Sequence, residues 1–186
     1  MTTELGTALL QLARGAIAGQ LRLAQPASAA HAALDEPGAT FVTLMRQGEL
    51  RGCIGSLDAH RPLGQDVREN ALAAAFRDPR FPQLTAVEYE TISVEVSLLT
   101  PARGISFSHE QDLLGQLRPG VDGIVFRYGR HRSTFLPQVW ESLPDPRSFM
   151  AQLKRKAGLP ADFWHEEVSV LRYEVEKWKE AEIAPR

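Results

Sequence analysis

Residues 50–55, Leu50-Arg51-Gly52-Cys53-Ile54-Gly55, combine a thiol, a guanidinium and two glycines three apart. Strand alternation puts Arg51 and Cys53 on one face and Leu50, Gly52 and Ile54 on the other. An isolated thiol, with a pKa of about 8.5, is only a few per cent thiolate at neutral pH, and a neighbouring guanidinium favours the anion. Cys53 and Arg51 are therefore candidate catalytic residues, the sulfur as nucleophile and the guanidinium as its activator or as an anion holder. The competing reading is structural, because a free cysteine also packs as a small, buried apolar group. Gly52 and Gly55 weaken a strand, which makes sense where another backbone or a ligand approaches closely. Both are candidate substrate-binding positions.

Further groups could take part. Glu95 stands on the polar side of an apolar strand, where a carboxylate could bind a substrate amine or orient a base. Arg127, Arg130, His131 and Arg132 cluster at an expected hairpin tip, either as a solvated turn or as a holder for carboxylate or phosphate. His31, His60, His109, His131 and His165 are spread along the chain without metal-ligand spacing. Asp58-Ala59-His60 is the nearest approach to a ligand pair, and no metal site is predicted. No Walker A loop, GxGxxG or GxSxG motif occurs, so no cofactor is predicted. Gly52-Cys53-Ile54-Gly55 spells the GxxG of KH domains, but that clamp joins two helices, and here a strand surrounds it.

These residues need a scaffold. Leu5, Leu9, Leu12 and Ala16 mark one face of a helix that weakens near Gly19. Residues 24–38 read as a surface connection. Strands are expected over 41–45 and 50–57, turned at Gln47-Gly48-Glu49, then a helix from Pro62 to about residue 77. Thr85 and Glu88 have capping-box spacing. Residues 92–99 alternate cleanly, with Ile92, Val94, Val96 and Leu98 on one face. Ser108 and Gln111 form a second expected capping pair, leading a helix with Leu113, Leu114 and Leu117. Strands over 123–128 and 133–136 flank the basic tip. Short helices follow Pro137 and Asp145-Pro146, the latter closed by Gly158. One last strand is expected over 167–178. Strands in hairpins separated by helices predict an α+β fold with a mainly antiparallel sheet and flanking helices.

The chain has 186 residues, 44% hydrophobic and 24% charged, which suits a globular domain over 1–186 with two sub-lobes. Twenty-one Lys and Arg against 23 Asp and Glu leave a net charge of −2, which argues against nucleic acid and anionic lipid as partners. A single cysteine excludes an intrachain disulfide and suits a reducing compartment. The N-terminus lacks the order of a secretory signal, and apolar runs such as 71–76 fall far short of the ~20 residues that span a bilayer. A cytoplasmic protein, not a membrane one, is expected.

The hexapeptide at 50–55 resembles the signature of the AMMECR-type domain family. The resemblance continues through Asp78-Pro79-Arg80-Phe81-Pro82-Gln83-Leu84-Thr85, Ser93-Val94-Glu95-Val96-Ser97-Leu98-Leu99-Thr100 and Pro119-Gly120-Val121-Asp122-Gly123-Ile124. Phe135-Leu136-Pro137-Gln138-Val139-Trp140 and Lys156-Ala157-Gly158-Leu159 complete it, in family order. It implies a compact α+β protein of two sub-lobes with the hexapeptide near the groove between them. It also implies company, since the bacterial branch, the AmmeMemoRadiSam system, is named for a genomic association with a Memo-like protein and a radical-SAM enzyme. Arg51, Gly52, Cys53 and Gly55 match the signature, and Leu136, Pro137 and Gln138 match a second block. Two functions stay open. One is an enzyme or enzyme component centred on Arg51 and Cys53, assisted by Gln138 or His131. The other is a non-catalytic binding or adaptor protein for those partners. Either would take a small molecule or peptide not identified by the sequence.

Overall fold

The structure is a computed structural model and describes residues 3–27 and 29–180. Among the described residues five helices and eight strands follow in the order α1 (Thr3–Gln20), β1 (Ala39–Arg46), β2 (Glu49–Gly55), α2 (Leu63–Phe76), α3 (Ala86–Tyr89), β3 (Ile92–Leu99), β4 (Arg103–Gly104), α4 (Glu110–Gln116), β5 (Gly123–Tyr128), β6 (His131–Phe135), α5 (Pro146–Lys156), β7 (Ser169–Tyr173) and β8 (Val175–Lys179). The strands form two four-stranded sheets, ordered β2-β1-β3-β8 and β4-β7-β5-β6. The fold is α+β and mainly antiparallel, as the hairpin pattern predicts. The chain divides into two compact units, Met1–Leu99 with Glu176–Arg186, and Thr100–Val175.

In the first unit α1 and α2 pack on each other and on β1 to β3. Val42, Leu44, Val94 and Val96 have no exposed surface and meet Leu9, Ile17 and Val67 from the helices. The core therefore lies on one face of this sheet, and the alternate residues face the other way. Gln47 and Gly48 have φ of +53° and +81° and join Arg46 to Glu49 in a two-residue turn. Two left-handed residues match the twist of a tight hairpin.

The register of that hairpin slips once. Leu44 pairs with Gly52 but Met45 pairs with Leu50, so Arg51 is an extra residue, a β-bulge. The slip overturns the expected alternation. Leu50 pairs with Met45, whose face is that of Thr43 and Cys53, and no longer shares a face with Gly52.

In the second unit the core gathers Leu113, Ile124, Phe126, Trp140, Phe149 and Leu153. Trp140 stacks on Phe149 with ring centroids 3.7 Å apart. Helix α5 begins with the Asp145 carboxylate accepting from Ser148 N at 2.8 Å and ends before Gly158, whose φ is +83°.

Three sequence expectations are corrected here. His109, not Ser108, caps α4: its Nδ1 accepts from Asp112 N at 3.1 Å, while Ser108 N and Oγ donate to the Asp112 carboxylate. The hairpin tip is Gly129-Arg130 alone, since Tyr128 pairs with His131 and Arg127 with Arg132. The last strand is two strands, β7 in the second sheet and β8 in the first. Glu174 separates them. Its N–H donates to Thr100 Oγ1 at 2.8 Å, and its carbonyl accepts from Thr100 N at 2.9 Å. Both halves stay extended, so a period-two pattern runs through the break without marking it.

Candidate functional site

Strand β2 is an edge, so the outward N–H and C=O of Cys53 have no strand partner. The turn after α2 supplies one. The Asp78 carboxylate accepts from Cys53 N at 2.9 Å, and Arg80 Nη2 donates to Cys53 O at 3.2 Å. Arg80 also grips Asp78 with both ends of its fork, Nε to Oδ1 at 3.0 Å and Nη2 to Oδ2 at 2.7 Å. Those bonds from Arg80, opposed by desolvation and helped by the Cys53 N–H, hold the Asp78 carboxyl well below the usual carboxylate range. The peptide groups of Cys53 are thus clamped on both sides by an Asp-Pro-Arg turn.

Arg51 is engaged elsewhere. The bulge sends it to α3, where Nε donates to Glu88 Oε1 at 2.9 Å and Nη2 to Glu88 Oε2 at 3.1 Å. Nη2 also donates to Pro82 O at 3.0 Å. Arg46 adds a second guanidinium, 3.2 Å from Glu88 Oε1. The bonds from Arg51, against a smaller opposing effect of burial and with help from Thr85 N, lower the Glu88 carboxyl to about 2. Arg51 is 8% exposed, and its Nη1 is buried with no hydrogen-bond partner among the described residues. The expected reach of this guanidinium to the sulfur gives way to an ion pair, because the extra residue turns the side chain off the Cys53 face.

The two glycines are met by the protein's own atoms. A Cβ at Gly52 would stand 2.2 Å from Ala74 O, and one at Gly55 would stand 2.3 Å from the Phe41 ring. Gly52 admits the backbone of α2, and Gly55 admits an aromatic ring from β1.

What the sheet assembles around Cys53 is a row across all four strands. Thr43 pairs with Cys53 on one side and with Glu95 on the other. Cys53 Sγ lies 3.3 Å from Thr43 Oγ1, and Glu95 Oε2 lies 3.4 Å from Lys177 Nζ. Thiol, hydroxyl, carboxylate and ammonium thus stand in order on the sheet face opposite α1 and α2. Cys53 and Glu95 are separated by two strand spacings, about 9.6 Å. The Cys53 side chain is half-buried and that of Glu95 is 15% exposed. The hydroxyl of Thr43 is the sulfur's hydrogen-bond neighbour.

Gln138 and His131 belong to the second unit. Gln138 is exposed in a 3₁₀ turn, Pro137–Glu141. His131 Nδ1 lies 2.9 Å from Ala157 O, and a carbonyl only accepts, so that nitrogen carries the proton in this bond. The His131 ring also stacks on Tyr128, with centroids 6.5 Å apart.

The sequence assigns no site role to Thr43, Asp78, Arg80, Glu88 or Lys177, although Glu88 reads as a cap and Asp78 and Arg80 fall in a block of the family resemblance. The signal for Asp78 and Arg80 was present in a charged pair flanking Pro79. Thr43 and Lys177 carried none, since only strand register places them. Two clefts of the first unit, of about 260 and 570 Å³, open among α1, the 24–38 connection and the start of α2, and Cys53 lines neither. Among the described residues no three His, Cys, Asp or Glu side chains converge as metal ligands, and no helix is long and apolar enough to cross a membrane.

Comparison with known proteins adds three findings. A family model described as AMMECR1 matches residues 10–178. Protein MJ0810 of Methanocaldococcus jannaschii is 41% identical over 140 residues, 72% of this chain and 68% of that one, and a Thermofilum pendens protein is 33% identical over a gapped alignment of 195 positions that covers 95% of this chain and 90% of that one. The crystal structure of the uncharacterized protein PH0010 from Pyrococcus horikoshii is similar with a TM-score of 0.82 and 34% identity, covering 97% of this chain and 93% of that one.

Proposed function

The chain belongs to the AMMECR1 family, and from that premise we propose that it binds a polar small molecule or peptide on the row Cys53–Thr43–Glu95–Lys177 and presents it to partner enzymes. The observation that carries this reading is the row itself, four different polar groups aligned across four strands. The clamp of Asp78 and Arg80 on the Cys53 backbone supports it by fixing the edge from which the thiol projects. The proposed partners are the Memo-like and radical-SAM proteins that the family resemblance implies, and cytoplasmic location is part of the same proposal.

A second reading, in which Cys53 is a nucleophile, has one observation in its favour. Such a clamp holds a reacting atom in place as readily as a binding one. The two readings separate by experiment. Iodoacetamide labelling of Cys53 should show the same pH profile in wild type and in Arg51→Met, because Glu88 occupies that guanidinium. A profile moved to higher pH by Arg51→Met would favour the nucleophile and count against the binding reading. Calorimetry with each partner, with both together, and with Glu95→Gln and Lys177→Met should give a dissociation constant on the order of 1 μM for the wild type and weaker binding for both variants. No heat with any partner combination would remove the presenting role.

A further inference from the structure

The second sheet carries a like-charge pair that its own unit leaves partly unanswered. Strand β4 is two residues long, and Arg103 stands directly opposite Arg172 across the β4–β7 pairing. Like charges in directly opposed positions destabilise an antiparallel pair. Arg172 has partners: Nη1 lies 3.4 Å from the Asp122 carboxylate, and Nη2 donates to Gln116 O at 3.1 Å. Arg118 is held similarly, with Nε 2.9 Å and Nη2 2.5 Å from Asp122 Oδ1, and Nη2 2.8 Å from Glu174 Oε1. Arg103 is exposed and makes no side-chain hydrogen bond or ion pair among the described residues.

Arg103, Arg118 and Arg172 all line one cleft of about 310 Å³, with Glu174 and Tyr173 among the other walls. Asp122 has no exposed surface and lies beneath, orienting Arg118 and Arg172. Asp122 and Glu174 set two carboxylates against the three cations, and the charge left without a partner among the described residues is that of Arg103. The volume is at the small end of the ~300–1,000 Å³ typical of small-molecule sites.

We propose that this cleft binds a small oxyanion, the carboxylate or phosphate group of a metabolite, with Arg103 as the arm that completes the site. A guanidinium fork matches both groups bidentately. An anion seated there relieves the repulsion between Arg103 and Arg172, which gives an exposed two-residue strand with opposed cations a physical purpose. The site is built from the second unit alone and does not depend on the reading of the Cys53 row.

The test is calorimetric titration of the full chain with inorganic phosphate and, separately, with succinate, at constant ionic strength and with chloride as the control. Saturable binding of at least one, weakened about tenfold or more in Arg103→Gln, is the expected result. Phosphate alone, succinate alone, or competition between them would each support the site and name the group it takes. Thermal unfolding gives a second readout. Without anion, Arg103→Gln should be no less stable than wild type, and phosphate or succinate should raise the wild-type melting temperature while leaving the variant's nearly unmoved. No saturable binding of either anion below about 10 mM, or affinity unchanged in Arg103→Gln, overturns the proposal.

Discussion

At Gly52 an added Cβ would meet the carbonyl oxygen of Ala74, a backbone atom of α2 with no rotamer to escape by. Gly52→Ala should therefore destabilise the protein by about 1–3 kcal/mol through overpacking. Urea denaturation measures this, and an unchanged midpoint would mean that α2 yields freely. Arg51 and Glu88 give a pH signature. The folded Glu88 carboxyl is lowered from 4.5 to about 2, so its ion pair contributes fully above about pH 4.5 and is lost as pH falls through about 2. Wild type should exceed Glu88→Gln in stability by about 1.5–3 kcal/mol near neutral pH, the range for a hydrogen bond to a charged group. That advantage should shrink below pH 4.5 and vanish near pH 2. A difference that stays constant over this window would show that Glu88 acts through packing and not through charge.

Helix α3 is four residues long and depends on its cap more than on its own ladder. Thr85 Oγ1 accepts from Glu88 N at 3.3 Å, while the Glu88 carboxylate accepts from Thr85 N at 3.0 Å. The same carboxylate takes Arg51 from the β2 bulge, so one short helix end fixes the side chain that the hairpin's extra residue sends out. Thr85→Ala should cost about 1 kcal/mol. In a double-mutant cycle with Glu88→Gln the two changes should couple by about 0.5 kcal/mol or more, because they share one carboxylate. Strict additivity would separate the cap from the ion pair. The row across β2-β1-β3-β8 is likewise a property of elements. Thr43 lies between Cys53 and Glu95 because β1 is the shared partner of both neighbouring strands.

Across the whole chain, the first unit is discontinuous, since residues 100–175 intervene before its last strand is made. That returning segment is well tied. Trp178 lies over Gly6, where an added Cβ would stand 2.3 Å from its ring. Glu180 receives Arg14 at 2.8 and 2.5 Å and accepts the Val94 N–H at 2.8 Å. Trp178→Ala should therefore cost about 2–3 kcal/mol, less than the ~3–5 of a fully buried tryptophan. Ending the chain after Glu174 should speed amide exchange at Val94 and along β3. Exchange at Val94 as slow as in the intact chain would show that the sheet closes without β8.

Much of this protein is written in local pattern. The helix over α1, the strand over β3, the Thr85–Glu88 capping box and the α5 ends at Asp145 and Gly158 follow from period, cap chemistry and left-handed glycine, which act within a few residues. The hexapeptide could likewise be singled out from its residue types, and the need for glycine at 52 followed from its place in a strand. Its partners could not be read there. A bulge is one residue of register, and register is settled by which strand pairs with which, so the Arg51 side chain went to Glu88 and not toward Cys53. Alternation cannot reveal a break between two extended segments, so β7 and β8 read as one strand in sequence, and only the tie between Thr100 and Glu174 marks the break. The row of Thr43, Cys53, Glu95 and Lys177 draws on sequence from residue 43 to residue 177. Only the packing of a sheet whose last strand returns from beyond the second unit brings them into one row.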